Sequence, residues 1–194
     1  MPTVERLAIP ATTLTSGNQV LYKFKVTADP AGDVALHKIV FGVPATVGMG
    51  IFNVTLRNVT DGNKRVSAAL PSTSPASTAI IYADTTDYSV PWVTIPAGQS
   101  HIFELRADIT TDGTADSVST RLLGDIRDTS KDFNFFTMIP APHLTGGDYS
   151  NFVWSDFSSE AKGNPLSLLE AAWMNGFKIP GLPSTGLESS TLSN

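Results

Sequence analysis

Apolar and polar residues alternate with a period of two along most of the chain up to about residue 140. In Val20-Leu21-Tyr22-Lys23-Phe24-Lys25-Val26, Val20, Tyr22, Phe24 and Val26 point one way and Lys23 and Lys25 the other. Successive side chains of a strand face opposite sides, so this run predicts a half-buried strand. Residues 52–57 and 103–107 repeat the pattern. Further strands are predicted at 4–9, 34–43, 65–70, 78–82, 90–95, 117–123 and 133–139. Over 34–43 the parity changes. Val34 and Leu36 share one face, whereas the later apolar set is Ile39, Phe41 and Val43, and a bulge near His37-Lys38 reconciles the two. Turn signals separate the strands: Asp29-Pro30-Ala31-Gly32-Asp33, Asp61-Gly62-Asn63 and Asp112-Gly113. Strands at this spacing, with no helical period between them, predict an all-β fold, an immunoglobulin-like antiparallel β-sandwich over residues 1–145.

Two segments resemble each other. Residues 13–26 and 94–107 both read as a strand end, a glycine corner at Gly17 or Gly98, and an amphipathic strand. The similarity stops after those residues, which favours a repeated corner with glycine at positive φ over a duplicated domain. From residue 146 the character changes, and 146–194 is set apart as a C-terminal segment packing on the sandwich or on a neighbouring subunit. Asn164-Pro165 has the N-cap and first-turn residues of a short helix, Leu166, Leu169 and Trp173 fall on one stripe, and Asn175-Gly176 would end it. The extended run from Phe177 to Pro183 and a Ser/Thr-rich tail follow.

Composition changes the picture in one respect. Charged residues make up 16% of the 194 positions, against roughly 25% in an average soluble domain. Serine and threonine, 19 and 22 of them, take their place. A surface solvated by hydroxyls suits an extracellular β protein. The net charge of −5, without a basic run, excludes a phosphate-tracking nucleic-acid surface. The absence of cysteine excludes disulfides, thiolate catalysis and cysteine-ligated zinc. No apolar run approaches the roughly 20 residues of a membrane span. Met1-Pro2-Thr3-Val4-Glu5 lacks the basic flank and apolar core of a secretion signal, so either the chain is cytosolic or a signal segment lies outside this sequence, and composition favours the second.

Candidate chemistry is sparse, and no catalytic residue is assigned. His37, His101 and His143 are far apart, and no nucleophile elbow, zincin motif or phosphate-cradling loop is present. The run from Asp108 through Asp112-Gly113 to Asp116 offers hard oxygen ligands around a glycine turn, so Asp108, Asp112 and Asp116 are the candidate calcium ligands; a plain solvated turn uses the same residue types. Asp29/Asp33 and Asp84/Asp87 are weaker versions. Trp92, Trp154 and Trp173, with Tyr82, Tyr88 and Tyr149, would form a sugar-stacking platform if exposed, and core if not. Asn53-Val54-Thr55 and Asn58-Val59-Thr60 are glycosylation sequons. Leu182-Pro183-Ser184-Thr185-Gly186 matches the pentapeptide that sortases cut, without the apolar span and basic tail of a working anchor.

The C-terminal residues Asn151-Phe152-Val153-Trp154-Ser155-Asp156, then Trp173-Met174-Asn175-Gly176-Phe177-Lys178-Ile179-Pro180-Gly181-Leu182-Pro183, resemble a C-terminal signature of β-sandwich surface proteins from candidate-phyla (Parcubacteria-type) bacteria. Residues 14–43, with their glycine corner and Gly32-Asp33-Val34-Ala35-Leu36 strand start, are similar to the opening of the same proteins. The resemblance covers roughly half the chain and brings no catalytic residues with it. It implies an exported sandwich. The expectation is a non-enzymatic extracellular structural protein, a subunit of a cell-surface assembly such as a surface layer or filament, self-associating through residues 4–9 and 182–193. The alternative is a glycan- or protein-binding adhesin module stiffened by calcium.

Overall fold

A computed structural model of the chain describes residues 1–66, 70–73, 77–83, 92–113, 115–127, 150–157 and 173–194, with backbone alone at 70–73, 77 and 82. The strands are β1 (Thr3–Leu7), β2 (Gly17–Thr27), β3 (Val34–Val43), β4 (Gly50–Asn58), β5 (Lys64–Arg65), β6 (Leu70–Thr73), β7 (Ser77–Tyr82), β8 (Val93–Ile95), β9 (Ser100–Thr110), β10 (Ser117–Leu122), β11 (Phe152–Ser155), β12 (Trp173–Asn175) and β13 (Ser190–Ser193). The described residues form two antiparallel sheets. The first runs β1-β2-β9-β4-β5, with β6 also on β4. In the second, β7 and β8 follow one another along one edge of β3, and β10 and β11 follow one another along the other. Beyond these, β12 pairs with β11 and β13 with β10. Placing β1-β2-β9-β4 over β3-β10-β13 reproduces the sheet ordering of an immunoglobulin-like sandwich.

The alternation builds the core. Tyr22, Phe24 and Val26 of β2 face inward with Phe103, Leu105, Ala107 and Ile109 of β9, and meet Leu36, Ile39, Phe41 and Val43 of β3. Phe24 stacks on Phe103 at 5.3 Å between ring centroids and meets Phe41 of the opposite sheet at 5.9 Å. Each such ring contributes roughly 1.5–3 kcal/mol by burial. The run at 20–26 differs from strict alternation at one point. The pairing with β9 shifts between Val20 and Tyr22, so Leu21 is a bulge and is buried as well. The bulge predicted near His37-Lys38 is present: Val153 pairs with Lys38 and Trp154 with Leu36, leaving His37 as the extra residue. Both glycine corners take positive φ, 117° at Gly17 and 70° at Gly98. The internal similarity therefore marks two corners that launch the two paired central strands of the first sheet.

The described residues of the C-terminal segment, 150–157 and 173–194, dock on the same sandwich. They supply β11, β12 and β13, and Phe152, Trp154, Ile179, Leu182 and Leu192 enter the same core as Phe24 and Phe41. The predicted helix needs correction at its end. Trp173–Asn175 is a strand, because these residues pair with the outer edge of β11. The body of that helix and the strand at 133–139 lie outside the described residues. The strand predicted at 65–70 is divided between β5 and β6, with 67–69 outside the description. Ala35, Val153, Trp92 and Trp173 form a second apolar cluster with Phe157 packed against it. Nine of the ten residues of β3 are consequently buried.

The N-terminal strand changes sheets. After β1 pairs with β2, the chain turns at Ala8-Ile9-Pro10 and runs beside β13. Thr13 faces Ser193 in a parallel bridge; Ser193 N–H donates to Thr12 O at 3.0 Å, and Leu14 N–H donates to Ser193 O at 2.9 Å. The strand β13 thus lies between β10 and residues 12–14, and the edge of the second sheet is closed there.

Candidate functional site

In the second sheet both lines of strands beside β3 break near its middle. On one side, the Ala83 N–H donates to His37 O, and β8 resumes opposite Leu36. On the other, Leu123 N–H donates to Val40 O and Val40 N–H to Asn151 O. At this second break sits Asp125, buried at 5% exposure. Its carboxylate accepts the N–H groups of Asn151 at 2.6 Å, Phe152 at 3.0 Å and Gly176 at 2.7 Å. The Asn151 side chain donates to Gly124 O at 2.7 Å, and Trp154 Nε1 donates to Asn175 O at 3.1 Å. A buried carboxylate is tolerated only when its oxygens are satisfied, and hydrogen bonds to a charged acceptor are among the stronger ones. Glycine and aspartate are residue types that plain turns also use, so the sequence alone does not single out Asp125.

From Gly176 to Ser189 the chain crosses the sandwich as a strap. Ile179 and Leu182 are buried, Pro180 O accepts the Val4 N–H at 3.0 Å, and Leu187 N–H donates to Leu122 O at 2.9 Å. The buried Tyr22 hydroxyl donates to Glu188 O at 2.9 Å, and burial pushes its pKa up to about 12. The pentapeptide Leu182-Pro183-Ser184-Thr185-Gly186 is bent, with Leu182 in the core and Gly186 N–H donating to Pro183 O at 2.8 Å. It is a folded turn, not an extended peptide. Beside the strap lies an open groove of about 560 Å³, lined by Arg6, Arg121, Thr185, Glu188 and Ser189 among others. Arg6 reaches Glu188 at 3.5 Å and Ser190 Oγ at 3.3 Å.

The outer face of the first sheet carries the other polar cluster. Glu104, 5% exposed, is held by Arg106 at 2.6 Å and Lys23 at 3.1 Å. Burial works against its ionisation, but the hydrogen bonds and charges of Arg106 and Lys23 outweigh it, and the carboxyl stays below its ordinary value. A depressed carboxyl contributes stability above the unfolded-state pKa of about 4.3 and loses it as pH falls through the folded-state value. The Glu104→Gln chain should therefore be less stable than the parent at pH 6. The gap should narrow as pH drops below about 4, as read from urea midpoints across pH. A gap independent of pH would contradict this.

Of the candidate calcium ligands, Asp112 and Asp116 are brought together, while Asp108 is held by other partners. Asp108 is on β9 with Asn18 Nδ2 at 2.8 Å and Asn53 Nδ2 at 2.7 Å, and these amides hold its carboxyl below the ordinary range. Asp116 is buried; its carboxylate accepts the Asp112 N–H, and its own N–H donates to Asn194 Oδ1 at 2.7 Å. Among the described residues no three histidine, aspartate or glutamate side chains gather in an arrangement that would hold a metal ion. Asp33 accepts the Ala97 N–H, and Asp29 caps its own turn through the Ala31 N–H. His37 lies against Trp173, and His101 accepts or donates across 2.9 Å to Asn58. The three tryptophans, Trp92, Trp154 and Trp173, are buried at 5%, 4% and 1% exposure, so their rings form no exposed platform. Asp84, Asp87, Tyr88, His143 and Tyr149 lie outside the described residues, as does the side chain of Tyr82. No protein-family model matches the chain, and no curated protein matches it.

Proposed function

We propose that this chain is a non-enzymatic extracellular structural protein, a subunit of a cell-surface assembly such as a surface layer or filament. The observation that supports the reading best is the way the chain secures its own ends. The strap, β13 and residues 12–14 close one edge of the sandwich and tie β1 and residues 12–14 to the C-terminal strand. A hydroxyl-rich surface with few charges suits such a unit outside the cell. The inner sides of the terminal segments are occupied within the chain. Self-association through those segments then uses the residues they leave exposed, among them Thr3, Glu5, Ser184, Thr185 and Glu188.

Light scattering coupled to size exclusion, run over a rising concentration series, checks this. The apparent mass should climb above that of one chain, and substitution of Glu5 and Glu188 should shift the climb. A strict monomer at every concentration overturns the assembly reading. It would leave the adhesin reading, which is favoured by the open groove with its two guanidinium groups, a shape and charge suited to acidic glycan or peptide groups.

A further inference from the structure

The two ends of the chain lie at opposite ends of the sandwich. The Met1 ammonium is 3.7 Å from Asp29, next to the corner where Gly98 N–H donates to Asp29 O and β9 begins. Asn194 lies at the far end, where its N–H donates to Asp116 O shortly after β9 has ended. The 11 residues of β9 separate these ends by roughly 35 Å at the rise of an extended strand. Tension between the ends therefore runs along the strands.

The direction of each terminal strand decides how its hydrogen bonds meet that tension. Residues 12–14 and β13 are parallel neighbours. A pull at the N-terminus draws residues 12–14 backward along the chain, and a pull at the C-terminus draws β13 forward. The two segments are then driven past each other, so the bonds Ser193 N–H to Thr12 O and Leu14 N–H to Ser193 O are loaded side by side. The five residue pairs of β1 with β2 are loaded along their length in the same way, with Val4 N–H to Pro180 O beside them. Bonds that share a load rupture together, whereas bonds opened from one end rupture singly, each under the whole force. Leu14 and Leu192, both in the core, resist the same sliding.

We propose that the domain is a tension-bearing unit, loaded along its strand axis through its two ends, with residues 12–14 against β13 and β1 against β2 as its shear clamps. This inference does not rest on self-association. It concerns force passing through one copy to whatever is joined to either end.

Single-molecule pulling of the full chain tests it in two geometries. In the first, handles are attached at the two ends. In the second, one handle is at the N-terminus and the other on the thiol introduced by Ala31→Cys, which is unique because the chain has no cysteine. Ala31 is exposed in the turn beside Met1, so this geometry peels β1 from β2 one pair at a time. The end-to-end unfolding force should be severalfold higher than the peeling force. Ser193→Pro, at an exposed position, removes the Ser193 N–H and should lower the end-to-end force while leaving the peeling force unchanged. Equal forces in the two geometries overturn the proposal. An unchanged end-to-end force in a folded Ser193→Pro chain overturns the assignment of residues 12–14 and β13 as a clamp. The light-scattering result is independent of either outcome.

Discussion

Replacing Asp125 with alanine should destabilise the domain by on the order of 3–5 kcal/mol in urea denaturation. The side chain is 5% exposed, and its two oxygens receive three backbone N–H groups from Asn151, Phe152 and Gly176. Alanine leaves those donors without their acceptor in a region closed to bulk water. Each stranded donor costs about 1–3 kcal/mol, less whatever water can enter to satisfy. Asp125→Asn keeps one oxygen and the side-chain volume but removes the charge, and should fall between parent and alanine. Two outcomes contradict the assignment: an alanine chain within about 0.5 kcal/mol of the parent, the usual range for an unremarkable surface position, or an asparagine chain as unstable as the alanine one. The first would mean that the break in the second sheet is held by packing alone.

The second large effect is expected at Gly181. Its φ is 83°, and a Cβ built on it would stand 1.9 Å from Val4 O. Alanine therefore meets a strained backbone and a backbone oxygen that cannot swing aside, as the tip of a flexible side chain would. About 1–2 kcal/mol for the left-handed conformation and 1–3 for the overlap give about 2–5 kcal/mol. The damage should be local first. Pro180 O, the acceptor for the Val4 N–H, moves with residue 181. Hydrogen exchange of the Val4 amide should accelerate in Gly181→Ala well before that of Phe24, which sits in the core. Exchange of both amides accelerating equally would show that the strap and the core open as one unit.

These two residues mark where the sequence stops being readable. Period-two alternation reports strands with one wet and one dry face, which is why the central strands of the first sheet are visible in it. The bulge at His37 is visible because it reverses the parity of a long strand. Phe152-Val153-Trp154-Ser155 is buried at every position, so it has no alternation to detect. Trp173–Asn175 is too short to distinguish a strand from a helix stripe, and its conformation is set by the free edge of β11. The strand Ser190–Ser193 does alternate, with Ser190 and Leu192 buried, but its serines look like those of a solvated tail. Asp125 illustrates a further limit. Its partners are backbone N–H groups, which every non-proline residue possesses, and they come from positions 26 to 51 residues away. Residue type says nothing about such a meeting. Asn151 to Trp154, Asn175-Gly176 and Gly181-Leu182-Pro183 lie at this junction and strap. Their spacing can therefore be understood as a packing requirement.

The closure of the second sheet by the last strand also bears on how the molecule is made. Arg6 meets Ser190 across a separation of 184 residues, and β3, formed early in the sequence, waits for β10 and β11 along one edge. A topology dominated by distant pairings folds slowly, in milliseconds to seconds. Its closing contacts cannot form until the ribosome has released the residues through β13. Until then the lengthening polypeptide lacks the strands that complete the second sheet, a state in which an unfolded chain can still be threaded through a narrow pore.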